Sequence, residues 1–224
     1  MDRKNQIDTF SRFTNVSRET IKTLKIYEKI LIKENRTLNL IGKSTINVIW
    51  ERHFLDSAQV VDYIEENDEI LVDVGSGAGF PGLVLAILFK DRNIVIKTKL
   101  IEKSPKKSNF LRSLIKELSL NVEVINEDIF NSSVNFSNSV FVARAFKPIK
   151  TIFELMHKKN ENCQKIFLFM GKSGNEELIQ ATKFWDIEYK QRVSLTNDDS
   201  KVLEINKLKK KIETYSNYFC NKSK

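Results

Sequence analysis

Cysteine and histidine are almost missing from this chain: 224 residues contain two of each, Cys163, Cys220, His53 and His157, all widely separated. So few cannot build a disulfide framework or a Cys/His zinc site, so no metal is expected, and a reducing cytoplasm fits the composition. Long apolar runs are missing as well. No window approaches the roughly 18 consecutive apolar residues of a membrane span, and the opening Met1-Asp2-Arg3-Lys4-Asn5-Gln6 lacks the apolar core of a signal peptide. A soluble protein with no membrane partner is expected. Arginine is scarce, nine of the 37 basic residues, and the few prolines and glycines form no linker. What is present is 41% hydrophobic and 10% aromatic residues, enough for one sizeable core.

The net charge of +8 is unevenly placed. Residues 99–117 carry Lys99, Lys103, Lys106, Lys107, Arg112 and Lys116 against two acids, and residues 206–224 carry six lysines against one acid. The remainder sums to −1. Concentrated positive charge on an otherwise neutral chain is the footprint of a polyanion, because each neutralised phosphate releases a counterion. A solvated lysine-rich face explains the charge alone equally well.

Helical periodicity runs over 17–36 (Ile21, Leu24, Tyr27, Ile30, Leu31), with Ser17 as N-cap, and again over 45–64 (Ile46, Ile49, Trp50, Phe54, Val61, Ile64). Beyond residue 66 short apolar runs alternate with helical stretches: strands at 70–74, 94–101, 122–125, 140–143 and 165–169, helices at 81–89, 105–118, after Pro148 and at 176–183. That alternation predicts right-handed βαβ units around a parallel sheet. The β-like runs at 187–195 and 202–205 have no helix between them and should pair as an antiparallel hairpin at a sheet edge. The expected organisation is an N-terminal helical cap (1–65), an α/β domain (66–211) and a basic tail (212–224).

Four of the seven glycines fall within Asp73-Val74-Gly75-Ser76-Gly77-Ala78-Gly79-Phe80-Pro81-Gly82. Glycines directly after a buried strand permit a sharp turn and the close approach of a ligand to the main chain. The dinucleotide pattern G-x-G-x-x-G fails at Phe80, and Gly42-Lys43-Ser44 and Gly171-Lys172-Ser173 lack the upstream glycine of a phosphate-binding loop. The remaining form, D-x-G-x-G-x-G, suits a nucleoside ligand without phosphates, of which S-adenosylmethionine is the common example. The next strand ends in Glu102, where a doubly wound sheet offers an acceptor to ribose hydroxyls.

Taken together, Arg52-His53-Phe54-Leu55-Asp56-Ser57, the loop 73–82, Leu100-Ile101-Glu102 with Lys106-Lys107 and Asn109-Phe110-Leu111, and Arg144-Ala145-Phe146 resemble the glucose-inhibited division protein B (RsmG) family over about residues 35–205. The resemblance implies a class I, Rossmann-like methyltransferase fold: a seven-stranded, mostly parallel sheet with helices on both faces and an N-terminal helical cap. It implies S-adenosyl-L-methionine as donor and guanine N7 of 16S ribosomal RNA near the decoding centre as acceptor, free or within the small subunit. Carried over by motif, cofactor contacts fall on Gly75, Phe80, Glu127, Asp128 and Arg144, and Gly77 of the same loop and Glu102 at the strand end are expected beside them. An acid after the third strand can accept from the adenine amine, and Arg144 can pair with the cofactor carboxylate or with an RNA phosphate.

The RNA is expected on Lys103, Lys106, Lys107 and Arg112, extended by Lys207–Lys211, and on Lys172, which follows Gly171 where the family reads Lys-Gly. Guanine N7 carries a lone pair and no proton, so no general base is needed and no catalytic residue is assigned. Arg52 and Asp56 at i,i+4 read either as an intrahelical pair or as part of a turn across the cofactor mouth. Two other functions fit the sequence: methylation of a small molecule or protein, and an idle RNA-binding assembly factor that retained the fold. A monomer is expected.

Overall fold

The computed structural model describes residues 2–65, 67–159 and 163–211. Helices α1 (Arg3–Thr14) and α2 (Arg18–Leu38) lead into an irregular helical stretch holding α3 (Asp56–Ala58). Then come β1 (Ile70–Val74), α4 (Gly82–Asp91), β2 (Lys97–Ile101), α5 (Pro105–Glu117), β3 (Val122–Ile125), β4 (Ser139–Arg144), α6 (Ile149–Lys159), β5 (Lys165–Met170), α7 (Gly174–Thr182), β6 (Trp185–Ser194) and β7 (Asn197–Lys210). The strands form one seven-stranded sheet of order β3-β2-β1-β4-β5-β7-β6. The first five are parallel; β7 runs antiparallel to β5 and to β6. The order reverses between β1 and β4, and at that switch point the loops after β1 and β4 diverge and open a crevice above the sheet.

Helix α4 is apolar on every side, with Gly82 through Phe89 all buried. A helix of that kind needs cover all round. The sheet covers one face and the cap the other: Phe10, Leu24, Tyr27, Trp50 and Phe54 join Leu83, Leu88, Phe110 and Leu111 in one buried cluster. The cap thus shares the core of the sheet. Ser17 caps α2 as expected, accepting from Thr20 N–H at 3.2 Å.

Two parts of the cap depart from the sequence expectation. Helix α1 was not legible, because its buried face is Gln6, Phe10 and Thr14, only one of which is apolar. The stretch 45–64 is not one helix but a 3-10 segment Lys43–Val48, a π-helical segment Trp50–Leu55, α3 and a 3-10 turn Val61–Tyr63. The wider π turns bury His53, Phe54 and Leu55 in succession, which a regular helix facing water cannot do. Strand β7 is also far longer than the apolar run 202–205, since its polar ends are held by hydrogen bonds to β6. Among the described residues no helix is long and apolar enough to cross a membrane.

Candidate active site

The loop after β1 turns on three positive-φ glycines, Gly75 (75°), Gly77 (56°) and Gly79 (100°). Only glycine adopts such angles freely. Gly75 N–H and Ser76 N–H donate to the Ile101 carbonyl at 2.9 and 3.2 Å, fastening the turn to the end of β2. Glu102, just beyond, is buried; its Oε2 accepts from Gly77 N–H at 2.9 Å and its Oε1 from Ser104 N–H at 2.7 Å. The acid therefore shapes the loop it faces, and each oxygen keeps a lone pair for a ligand.

Gly75, Gly77, Ile101 and Glu102 line a cavity of about 300 Å³ with Lys103, Lys107, Glu127, Asp128, Phe130 and Phe146. Five expected cofactor contacts, Gly75, Gly77, Glu102, Glu127 and Asp128, meet here. The open backbone face, however, belongs to Gly77 rather than Gly75. A Cβ at Gly77 would find only the Gly75 carbonyl, at 3.7 Å, whereas one at Gly75 would stand 2.3 Å from the Phe146 ring. Phe130, 42% exposed and stacked on Phe146 at 6.1 Å, adds an aromatic wall; its position two residues after the acid pair was its only signal in the sequence.

Phe80 and Arg144 stand elsewhere. The Phe80 ring is buried between Tyr27 (5.5 Å, 12°) and His53 (4.9 Å, 20°), so it braces the cap and does not line the cavity. Arg144 lies over that ring at 5.3 Å and lines a second cavity, of about 210 Å³, between the cap and the β6–β7 turn. Its walls include Thr45, Arg52, His53, Asp56, Met170, Gly171, Ser200 and Lys201; Ala145 is the residue common to both cavities.

Arg144, 16% exposed, donates through Nη1 to Asp56 Oδ2 at 3.0 Å and to the Arg52 carbonyl at 3.2 Å, and through Nη2 to His53 Nδ1. The intrahelical Arg52–Asp56 pair is therefore not formed: the π turn aims Asp56 at the sheet, where it meets the buried guanidinium. Arg has no acceptor, so His53 Nδ1 presents its lone pair and the ring hydrogen sits on Nε2, which donates to Thr45 Oγ1 at 2.8 Å. Thr45 Oγ1 passes its own hydrogen to the Gly42 carbonyl at 2.8 Å. Burial, helped by Arg144 and Arg52, lowers the His53 pKa to about 3, so the ring stays neutral through the physiological range.

Beneath the glycine turn, wholly buried Asp73 accepts from Gly82 N–H through Oδ2 at 2.9 Å, while Oδ1 has no hydrogen-bond partner among the described residues. Burial pushes its carboxyl up to about 7 from an ordinary value of 3.8. An acid whose pKa rises on folding is more easily ionised in the unfolded chain, so stability falls as pH climbs from about 4 to about 7. Compared with Asp73→Asn, the native chain should lose up to about 4 kcal/mol between pH 4 and pH 8. Denaturant melts of both at the two pH values check this, and parallel pH dependence would show that Asp73 ionises normally.

The basic residues separate. Lys103 and Lys107 line the first cavity, Lys106 is exposed beside them, and Arg112 donates to Asn109 Oδ1 and the Val124 carbonyl on the outer face of α5. Lys172 is exposed in the turn after β5. Lys207–Lys210 do not extend this patch. Lys201 pairs with Met170 at the site end of the sheet, and β7 then carries Lys210 about 30 Å towards the opposite end. The tail 212–224, with Tyr215, Tyr218 and Phe219, lies outside the described residues. A larger cavity, about 480 Å³, opens between α6 and β7 beside Cys163, whose thiol burial pushes up to about 12, too high for a nucleophile. Among the described residues no Cys/His/Asp/Glu cluster suits a metal.

Sheet order, glycine turn and strand-end acid together define a class I methyltransferase fold. Solved structures agree on the fold: mitomycin 7-O-methyltransferase MmcR has a TM-score of 0.58 at 12% identity over 80% of this chain and 60% of that one. The tRNA (m1A58) methyltransferase TrmI from Aquifex aeolicus has 0.52 at 14%, over 69% and 68%. Residues 20–206 match the GidB family, rRNA small subunit methyltransferase G. The ribosomal RNA small subunit methyltransferase G of Pelagibacter ubique is 39% identical over 199 residues, 88% of this chain and 93% of that protein. The Rickettsia akari protein of the same name is 39% identical over 196 residues, 87% and 98%. The chain belongs to this family of small-subunit ribosomal RNA methyltransferases.

Proposed function

We propose that the first cavity binds S-adenosyl-L-methionine and that the chain methylates N7 of a guanine in 16S ribosomal RNA near the decoding centre. The observation that carries this reading is the cradle around Gly77: an open backbone face that a side chain would fill, flanked by Glu102 and an acid pair. Glu102 offers its remaining lone pairs to ribose hydroxyls, Glu127 or Asp128 accepts from the adenine amine, and Phe130 supplies a stacking face. Bound there, the cofactor supplies a methyl group on a positively charged sulfur. Guanine N7 gives up no proton, which suits a site where both nitrogens of neutral His53 are already engaged. Positioning supplies the rate, and held reactants can gain up to about 7 to 11 kcal/mol. Mapping 7-methylguanine in 16S ribosomal RNA by mass spectrometry, with and without the gene, tests the reading; an unchanged map would overturn it.

The RNA approaches across the rim of α5, with Lys103 and Lys107 at the cavity, Lys106 and Arg112 outside it and Lys172 across the crevice. The enzyme acts as a cytoplasmic monomer, where its substrate is made. Lys106→Ala should flatten the log-log salt dependence of RNA binding by about 0.7, the value for one phosphate on single-stranded RNA. Cofactor affinity should hold, because Lys106 does not line the cavity. An unaltered slope would move the footprint off α5.

A further inference from the structure

We infer that the second cavity, between the cap and the β6–β7 turn, receives the target guanine itself, turned out of its RNA stack, and that Arg144 reads it. This rests on the first cavity being the methyl-donor site. The two cavities share Ala145, whose side chain is only a methyl group, as a lining residue. A base inside a stack offers no approach to a buried donor, so a nucleotide acted on in a crevice must enter it. The second cavity has the chemistry for that guest. Arg52 and Lys201 stand on its walls for the flanking phosphates, and Arg144 inside it is a donor with no acceptor.

Three of the five Arg144 N–H groups are committed to Asp56, the Arg52 carbonyl and His53. The others, on Nε and Nη2, have no protein partner among the described residues. A donor-only group suits guanine, whose O6 beside N7 is an acceptor, and opposes adenine, whose N6 at the same place is a donor. Asp56 and His53 are then positioning residues. Asp56 also accepts from Ser194 Oγ at 2.9 Å and Thr196 Oγ1 at 3.2 Å, and Gln59 Oε1 accepts from Leu195 N–H at 3.2 Å, so the hairpin turn closing the cavity is tied to the residue that aims Arg144.

Gly171 allows a direct test, because a Cβ there would meet nothing within 4 Å and its φ is not positive. Gly171→Leu, and independently Ser200→Phe on the neighbouring strand β7, should fill the cavity in a folded protein. Calorimetry should find S-adenosylmethionine affinity within threefold of the native chain, while methyl transfer to ribosomal RNA falls at least 100-fold. Arg144→Lys should behave alike. Ligand-observed NMR with 7-methylguanosine monophosphate, on protein saturated with S-adenosylhomocysteine, should show binding to the native chain and none to the filled variants. Near-native transfer by both filled variants would overturn the assignment. So would cofactor affinity falling in step with transfer, which would give the cavity to the cofactor. Failure of the native chain to bind S-adenosylmethionine would instead strike the reading of the first cavity.

Discussion

Gly75→Val should lower S-adenosylmethionine affinity at least 100-fold while leaving a folded protein. Two effects combine. The residue sits at φ 75°, a region in which a β-branched side chain is strained by about 1 to 3 kcal/mol, and its Cβ would stand 2.3 Å from the Phe146 ring. Phe146 lines the first cavity, so relief comes either from that ring swinging into the cavity or from the glycine turn shifting, and both spoil the cradle. Circular dichroism should report a native-like fold with a lower melting temperature, and calorimetry should find no saturation at concentrations that saturate the native chain. Retained affinity would mean that the ligand does not meet this turn. Gly77→Ala is the informative companion: the space is open but φ is 56°, so affinity should fall through lost room for the ligand with only a small loss of stability.

Removing Asp56 should be the most destabilising single change at the site. Asp56→Ala leaves the Arg144 guanidinium, 16% exposed, with a neutral imidazole and a carbonyl as its remaining partners, and frees the hydroxyls of Ser194 and Thr196. Breaking a largely buried ion pair from one side costs about 3 to 5 kcal/mol, most of it the burden of the uncompensated charge. Urea denaturation should show a loss of that size, and Asp56→Asn, which keeps the shape and an acceptor oxygen, should lose less. A loss under 1 kcal/mol for Asp56→Ala would show that water reaches the guanidinium and that the hub is not closed.

Much of the first cavity could be read along the chain because its parts are local. Gly75 and Gly77 lie on one turn, Glu102 ends the next strand, and Glu127 and Asp128 follow the third; a parallel sheet delivers strand ends to the same edge whatever lies between. Phe80 was legible as part of the motif but not in its role, since the sequence does not show which way a ring turns. It turned into the cap, where Tyr27 and His53 could bury it on both faces.

The alternation of apolar runs, the missing crossover helix before the last strand and the clustered glycines were enough to specify the βαβ order, the edge hairpin and the sharp turn after β1, because periodicity and glycine placement act over a few residues. Only the folded chain could decide that the stretch 45–64 would break into π and 3-10 turns, that Asp56 would choose Arg144, 88 residues away, over Arg52 four residues before it, and that Ser194 would join them from 138 residues beyond. The same holds for the lysines. The clusters at 99–117 and 206–211 look alike as composition, yet parallel β2 delivers Lys103 and Lys107 to the crevice, while the antiparallel last strand carries the second cluster to the far end of the sheet. A charge acts through its distance from the site, and that distance is set by packing rather than by position in the chain.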